Sequence, residues 1–254
     1  MSQKYILITG ASGGIGRSLV YYLLQNNYFV IATDEGTCPE YFSTLDSFFY
    51  VSCDLSTLSA SVNGELDRFL GAINSILDGK NIYAIIHNAA YQLVCDFSHI
   101  SHDDWMRTLH VNLLAPIAIS KAFLNQLKAS CGSIVHISSI HNSLTKPRFT
   151  AYATSKAALT GLTRAMAVEL GEHIRINAIE PAAISTPMLE AGFTHDPQLK
   201  ADLEAFHPTR SIGTPDDVAR AVLFLLDPCN SFLNGCVIPL TGGIHSCLHD
   251  PAAN

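Results

Sequence analysis

The 254-residue sequence predicts an α/β fold, in which a doubly wound parallel sheet of about seven strands carries helices on both faces. Short apolar runs rich in β-branched residues alternate along the chain with segments of helical spacing, which is typical of parallel βαβ units. The composition is 48% hydrophobic and 15% charged, which indicates an ordered globular protein. No internal repeat or linker-like segment divides the chain, so we expect a single domain over 1–254.

Seven segments have the pattern of buried parallel strands. In chain order they are YILIT (5–9), FVIAT (29–33), FFYVSCD (48–54), YAIIHNA (83–89), SIVHIS (133–138), RINAIEP (175–181) and CVIPL (236–240). The spacing of apolar residues between them predicts helices over 15–26, 57–78, 103–129, 152–171 and 215–226. The least regular part is 186–213, and a long insert of this kind in a compact α/β fold predicts a substrate-binding lid.

Charge and cysteine usage exclude several classes of function. The net charge is −7, and no basic cluster favours nucleic acid. No apolar run reaches the ~18 residues of a membrane span, and the N-terminus lacks a signal peptide. Seven scattered cysteines without a CxxC pair indicate a reduced, cytoplasmic chain. His245, Cys247 and His249 have no evident fourth ligand, so we expect no metal site.

A glycine turn follows the first predicted strand and opens the first helix. Gly10, Gly14 and Gly16 have the spacing G-x-x-x-G-x-G. Glycines let a pyrophosphate approach the backbone, and the following helix N-terminus supplies free N–H groups. The motif alone leaves open a tight turn that binds no ligand.

An acidic residue at the end of the second strand sharpens this hypothesis. Asp34 lies where a carboxylate hydrogen-bonds the ribose of a bound dinucleotide. Asp34 and Glu35 together would repel a 2′-phosphate, which predicts NAD rather than NADP. A solvated strand-end acid is the alternative, and the nearby Arg17 weakens the preference unless it lies on the helix surface.

Tyr152 and Lys156 lie one turn apart on one face of a predicted helix. A free tyrosine has a pKa near ~10, and a neighbouring ammonium would lower that pKa. Tyr152 would then exchange a proton with an alcohol or carbonyl, and Ser139 would hydrogen-bond the same oxygen. By itself the tyrosine–lysine pattern is also compatible with surface packing.

Together these motifs resemble the short-chain dehydrogenase/reductase family, from about Tyr5 to Gly243. The resemblance rests on TGASGGIG (9–16), Asp54-Leu55, HNAA (87–90), Asn112, Ser139, Tyr152-x-x-x-Lys156 and PAAISTPM (181–188). It implies one NAD-binding Rossmann domain, a small-molecule substrate and a homo-oligomer, with a tetramer favoured over a dimer. The enoyl reductases of the family have a longer spacing between the tyrosine and the lysine, so the spacing in this sequence argues against that branch.

The resemblance assigns a role to each matching residue. Tyr152 would accept the alcohol proton, Ser139 would hold the substrate oxygen, Lys156 would hold the ribose and lower the pKa of the tyrosine, and Asn112 would support a linking water. The cofactor-binding residues it implies are Gly10, Ser12, Gly14, Ile15, Gly16, Asp34, Asp54, Leu55, Asn88, Ala89, Tyr152, Lys156, Pro181, Ile184 and Thr186.

The chain departs from the family pattern at four positions. His87 and Ala90 replace the first asparagine and the glycine of Asn-Asn-Ala-Gly. Ala182 replaces a glycine, and its methyl group would crowd the nicotinamide. Thr241 stands in LTGG (240–243), where the family usually has Val-Asp-Gly-Gly. His87 and His136 fall on buried strands, where we expect core histidines with satisfied hydrogen bonds.

The residues at the predicted substrate-binding positions resemble those of two different groups of enzymes in the family. His141 and Gln92 resemble positions in 3-hydroxybutyrate dehydrogenases, but Phe149 stands where those enzymes have a carboxylate-binding lysine. Lys146 or Arg148 would replace it only if the loop turned inward.

The segment from Ser138 to Tyr152 and the lid with Met188 resemble glucose dehydrogenases instead. We therefore expect a secondary alcohol on a sugar or polyol. A hydroxy acid is the alternative substrate, and a catalytically silent NAD-binding regulator the alternative function.

Overall fold

The computed structural model describes residues 3–58, 64–191, 193 and 196–248 and confirms the predicted fold class. All seven strands are parallel and form one sheet in the order β3-β2-β1-β4-β5-β6-β7. Their bounds are β1 Tyr5–Thr9, β2 Phe29–Asp34, β3 Phe48–Ser52, β4 Ile82–His87, β5 Ser133–Ile137, β6 Arg175–Pro181 and β7 Val237–Leu240. Within the described ranges, no helix is long and apolar enough to cross a membrane.

The described helices occupy the predicted segments and add two more, α8 and α9; part of the helix expected over 57–78 lies outside the described residues. Their bounds are α1 Gly14–Gln25, α2 Leu55–Leu58, α3 Glu65–Leu77, α4 His102–Leu109, α5 Ala115–Ala122, α6 Leu124–Ala129, α7 Thr150–Leu170, α8 Pro187–Ala191, α9 Pro197–Phe206 and α10 Pro215–Leu226. The helix expected over 103–129 is broken by a π-helical turn at His110–Leu114. The segment 186–213 is more regular than expected, since it contains α8 and α9.

Two apolar cores lie on opposite faces of the sheet, because successive side chains of a strand point to opposite sides. Leu7 of β1 packs in the core covered by α3, α5 and α7. Its neighbours Ile6 and Ile8 pack in the core covered by α1 and α10. All five residues of β1 are buried, which explains why the parallel strands read as continuous apolar runs.

The strand order reverses between β1 and β4, and the two strand ends are joined there by side chains. The Thr9 hydroxyl accepts hydrogen bonds from the backbone N–H groups of Asn88 and Ala89, both at 3.1 Å. The Asn88 amide donates to the carbonyl oxygens of Thr9, at 3.1 Å, and Gly10, at 2.9 Å. Such a reversal point is where ligands bind in doubly wound sheets.

Two threonines paired in register on β1 and β2 offer a matched stability test. Both are buried, but the Thr33 hydroxyl has no hydrogen-bond partner in the described part of the chain. We expect Thr9→Val to lower the free energy of unfolding by about 1–3 kcal/mol, because two N–H groups lose their acceptor. Thr33→Val should be neutral or stabilising. Urea denaturation of both variants tests this, and equal losses of stability would contradict it.

Candidate active site

The backbone of the glycine turn lies in close contact with the residues that follow β4. Gly10 has φ of 68°, and a Cβ atom there would lie 2.6 Å from Ala89 Cα. At Gly16, a Cβ would overlap the Gly10 carbonyl oxygen, so only glycine lets α1 begin against the turn. At Gly14, it would lie 2.9 Å from Thr186 Cγ2, which places the start of the 186–213 segment directly over the turn.

The turn has features that fit a dinucleotide. The Ser12 hydroxyl oxygen is buried and makes no hydrogen bond of normal geometry to the described residues, although the Tyr50 hydroxyl lies near it, so it can still bond a ligand. Asn88 and Ala89 hold the β1 edge of the turn through the bonds to Thr9 and Gly10. These residues would hold a pyrophosphate at the α1 N-terminus, where free N–H groups favour an anion.

Asp34 lies at the end of β2 beside the turn, as predicted. Its carboxylate accepts hydrogen bonds from the backbone N–H of Ser12 at 2.8 Å and of Glu35 at 2.9 Å. Arg17 is exposed on α1, and its guanidinium carbon lies 4.5 Å from the centre of the Tyr41 ring. Arg17 therefore lies on the helix surface, as the sequence analysis considered, in contact with a tyrosine whose hydroxyl donates to the Ser12 carbonyl at 3.2 Å.

The remaining predicted cofactor positions lie at the carboxyl ends of other strands. Asp54 follows β3 and accepts from the Ser56 backbone N–H at 2.8 Å, and Leu55 beside it is buried. Ile184 is buried after β6. Ile15, at the start of α1, and Thr186, before α8, are half-buried, and Pro181 closes β6.

Three catalytic candidates, from β5 and α7, lie together at this edge. Ser139 follows β5 in an extended conformation, its hydroxyl accepts from the His141 backbone N–H at 3.2 Å, and it lies close enough to Tyr152 to influence the pKa of the phenol. The Lys156 ammonium lies 5.7 Å from the centre of the Tyr152 ring and donates to the Ile137 carbonyl oxygen at 2.7 Å. Tyr152 is 8% exposed and Lys156 is 1% exposed, so both polar ends are largely removed from water.

Burial dominates the protonation of this pair. It raises the pKa of Tyr152 to about 12, although the hydrogen bond from Ser139 acts in the opposite direction. It lowers the pKa of Lys156 to about 7. The net shift of the Tyr152 pKa is therefore upward because desolvation dominates it, and the lowering of this pKa by the Lys156 ammonium stays a prediction.

Asn112 is placed by the π-helical turn that interrupts the α4–α5 segment. Its amide accepts from the Tyr91 backbone N–H at 2.7 Å and donates to the Tyr91 carbonyl and the Ser155 hydroxyl, both at 2.9 Å. The side chain thus joins the loop after β4 to α7 next to Lys156. Such turns occur frequently at functional sites, but the sequence pattern did not show this one.

The aromatic platform, defined here as His141, Phe149 and Tyr152, borders the tyrosine hydroxyl. The rings of His141 and Phe149 stack with centres 4.6 Å apart and planes at 5°, and His141 meets Tyr152 edge-on at 5.7 Å. Burial, with Lys146 adding a smaller effect, lowers the pKa of His141 to about 4, so the ring is neutral. Gln92 is exposed on the loop after β4, and the Met188 side chain lies outside the described part of the structure.

His87 and His136 form a stacked pair in register on β4 and β5, with ring centres 5.3 Å apart. One ring nitrogen of each bonds a hydroxyl, Ser120 at 2.9 Å and Thr163 at 2.8 Å. The second nitrogen of each has no partner among the residues described. The expectation of fully satisfied core histidines is therefore only half confirmed.

In the described ranges, no group of three or more acidic, His or Cys side chains could hold a metal, and His249 lies outside them.

The lowered pKa of Lys156 predicts how stability depends on pH in the cofactor-free protein. Its ordinary pKa is 10.5, so between about pH 7 and that value the unfolded chain binds more protons than the folded one. The lysine therefore destabilises the fold at and below pH 7, and this penalty falls as the pH rises. The unfolding free energy of the wild type should therefore increase relative to that of Lys156→Met as the pH rises from about 7 to about 9. Lys121→Met, at an exposed position, should leave the wild-type slope unchanged; equal slopes in all three proteins would refute the shift.

Comparisons with known proteins identify similar sequences over nearly the whole chain. A family model described as enoyl-(acyl carrier protein) reductase matches residues 10–245. Protein FixR of Bradyrhizobium diazoefficiens is 34% identical over 255 residues, covering 95% of this chain and 87% of that protein. Carbonyl reductase [NADPH] 2 of Sus scrofa is 31% identical over 242 residues, covering 93% of this chain and 94% of that protein.

Solved structures show the same fold over nearly the full chain. A short-chain dehydrogenase family protein from Francisella tularensis is 25% identical, with a TM-score of 0.83 and coverage of 97% of this chain and 100% of that one. Thermoplasma acidophilum aldohexose dehydrogenase is 27% identical, with a TM-score of 0.86 and coverage of 98% and 97%. A 4-hydroxyisoleucine dehydrogenase complexed with NADH is 28% identical, with a TM-score of 0.85 and coverage of 97% and 100%. The chain belongs to the short-chain dehydrogenase/reductase family, a family of oxidoreductases that bind nicotinamide cofactors.

Proposed function

We propose that the protein is an NAD-dependent oxidoreductase that interconverts a secondary alcohol and a ketone on a small polar substrate, a sugar or polyol first. The observation that carries the proposal is the convergence of Ser139, Tyr152 and Lys156 beside the aromatic platform. A bound nicotinamide supplies the hydride chemistry, and the protein orients and polarises the substrate. The four-residue tyrosine–lysine spacing favours this reaction over enoyl reduction.

Each of the four candidate side chains either transfers a proton or positions another group. Ser139 donates to the substrate oxygen and holds it against the Tyr152 hydroxyl. Tyr152 accepts the alcohol proton in oxidation and returns it in reduction. Lys156 lies within reach to stabilise the phenolate once a ligand draws its ammonium from the Ile137 carbonyl. Asn112 fixes the loop after β4 against α7, so that these groups keep their positions.

Removing one hydroxyl group tests the reaction. Tyr152→Phe should lower kcat about 10²–10⁴-fold, because the substrate loses its proton acceptor, while NADH binding stays within about twofold. The assay is cofactor absorbance with a panel of sugars, polyols, hydroxy acids and apolar alcohols. Tyr22→Phe, on the far side of α1, is the matched control. Unchanged turnover in Tyr152→Phe would refute the catalytic assignment, and a silent panel with intact NADH binding would favour a non-catalytic NAD-binding regulator.

Asp34 supports NAD over NADP, because its carboxylate lies where the ribose would bind and would repel a 2′-phosphate. We expect the wild type to bind NADH more tightly than NADPH. Asp34→Ser should reduce that ratio at least about tenfold, since Arg17 would then face the phosphate without a competing acid. Glu35→Ser is the control, with a smaller effect expected. Fluorescence titration measures both ratios, and tighter NADPH binding by the wild type would reverse the proposal.

A hydroxy acid is the second candidate, and the position of Lys146 favours it. The Lys146 ammonium lies 4.6 Å from the centre of the Phe149 ring, so the loop does turn this cation onto the platform. Arg148 instead pairs with Asp96 at 3.6 Å. If the substrate is a hydroxy acid, Lys146→Met should raise its KM while leaving the KM of neutral sugars unchanged.

We also propose that 186–213 closes over the bound substrate, and that the protein is a cytoplasmic homo-oligomer, with a tetramer favoured over a dimer. The start of this segment already contacts the glycine turn at Gly14. Oligomerisation is supported by large apolar side chains in solvent, among them Val168 of α7, 90% exposed, and Phe232, fully exposed. All seven cysteines are free of disulfides, as a reducing compartment would require.

A further inference from the structure

A cavity of about 190 Å³ lies between the carboxyl ends of β6 and β7 and the segment that leads into α10. Its walls include Ala182, Ala183, His207, Ser211, Asp217 and Thr241. None of the four catalytic candidates lines it. The space is equivalent to about six water molecules at liquid density, which suits a ligand of only a few heavy atoms.

His207 presents an unused acceptor in this cavity. The residue is 2% exposed, and its Nδ1 lies 2.8 Å from the Leu203 carbonyl oxygen. A carbonyl only accepts hydrogen bonds, so Nδ1 donates to it, which leaves Nε2 as the ring nitrogen that can accept from a ligand. Nε2 is buried and has no partner among the described residues. An unsatisfied acceptor in a polar cavity favours a molecule that donates a hydrogen bond.

The other cavity walls define what that donor is. Asp217 lines the cavity and is already paired with Arg220 at 2.5 Å, and no lysine or arginine is among the described walls, so no free cation is there to bind an anion. The described residues around the cavity do not form a group that could hold a metal ion. Thr209, Ser211 and Thr241 offer hydroxyl groups, while Ala182 and Leu240 are apolar. Polar and apolar walls together match a molecule with hydroxyl groups on a short carbon chain.

We propose that this cavity is a second ligand site that binds a small neutral polyol, with one hydroxyl donating to His207 Nε2. The site is separate from the substrate position beside Tyr152, and the inference does not rest on the proposed function. Thr241, which departs from the family pattern, supplies a neutral hydroxyl wall where a carboxylate is usual.

The position of the cavity connects it to the end of the predicted lid. His207 holds Leu203 of α9 through Nδ1, and the Thr209 N–H donates to the Gly242 carbonyl at 3.2 Å. Gly243 has φ of 88°, and a Cβ there would lie 2.9 Å from Pro208 Cγ, so this contact is close. A ligand that bonds His207 would therefore brace the last turn of α9 and slow hydrogen exchange there.

The experiment is a glycerol titration of the cofactor-free protein, followed by NMR of its ¹⁵N-labelled histidine rings. We expect a saturable shift of the His207 Nε2 signal, with slower amide exchange in the last turn of α9. His141, on the aromatic platform, is an internal reporter that should not move, because glycerol at the active site would shift that ring instead. The matched probe 1,2-dimethoxyethane, which has no hydroxyl donor, should leave His207 unchanged.

Two variants complete the test. His207→Leu should weaken glycerol binding at least about tenfold, because it removes the acceptor, and should keep the wild-type NADH affinity. His207→Gln retains an acceptor oxygen and should bind more tightly than His207→Leu; it also serves if the leucine variant does not fold. The proposal is overturned if glycerol causes no saturable His207 shift, if dimethoxyethane causes the same shift, or if only His141 responds. Failure of the proposed reaction would leave this result unaffected.

Discussion

The close approach of the glycine turn to the end of β4 is the constraint on which the rest of the site depends. It places β1 and β4 side by side where the strand order reverses, and no side chain fits between Gly10 and Ala89. Thr9 and Asn88 satisfy the polar groups that this approach would otherwise leave unpaired. The loops after β4, β5 and β6 all start from the sheet edge that this junction defines, so its geometry sets the distances among their side chains.

The catalytic groups lie in a largely dry environment, and this shapes their chemistry. Burial opposes charge on both Tyr152 and Lys156, so the ligand-free site favours a neutral tyrosine and a lysine that loses its proton readily. The Lys156 ammonium donates to the backbone oxygen of Ile137, so the end of β5 fixes its position. A cofactor and substrate at this site would bring further hydrogen-bonding groups to both side chains.

The aromatic platform is the surface that supports both proposed substrate classes. The neutral His141 ring and Phe149 present an apolar surface, while Lys146 adds a cation at its margin. An apolar face suits the C–H side of a sugar, and a cation suits a carboxylate, so one surface accommodates both candidate classes. The described walls of the His207 cavity include no lysine or arginine, so the cavity differs chemically from the platform, which has Lys146 at its margin.

The sequence by itself predicted the strands and the family, which the structure and the comparisons confirm, and it named the candidate catalytic and cofactor residues, because each prediction depends on a local pattern. Buried parallel strands appear as apolar runs, and the Gly10–Gly16 spacing and the Tyr152–Lys156 spacing are short enough to recognise. Only the tertiary structure decided the π-helical turn that aims Asn112, the pKa shifts of Tyr152 and Lys156, and the unpaired nitrogen of His207. These properties arise from desolvation and from contacts between residues far apart in the chain, which no local pattern encodes. The same distinction explains Lys146, whose charge was evident in the sequence but whose direction depended on how the loop folds over Phe149.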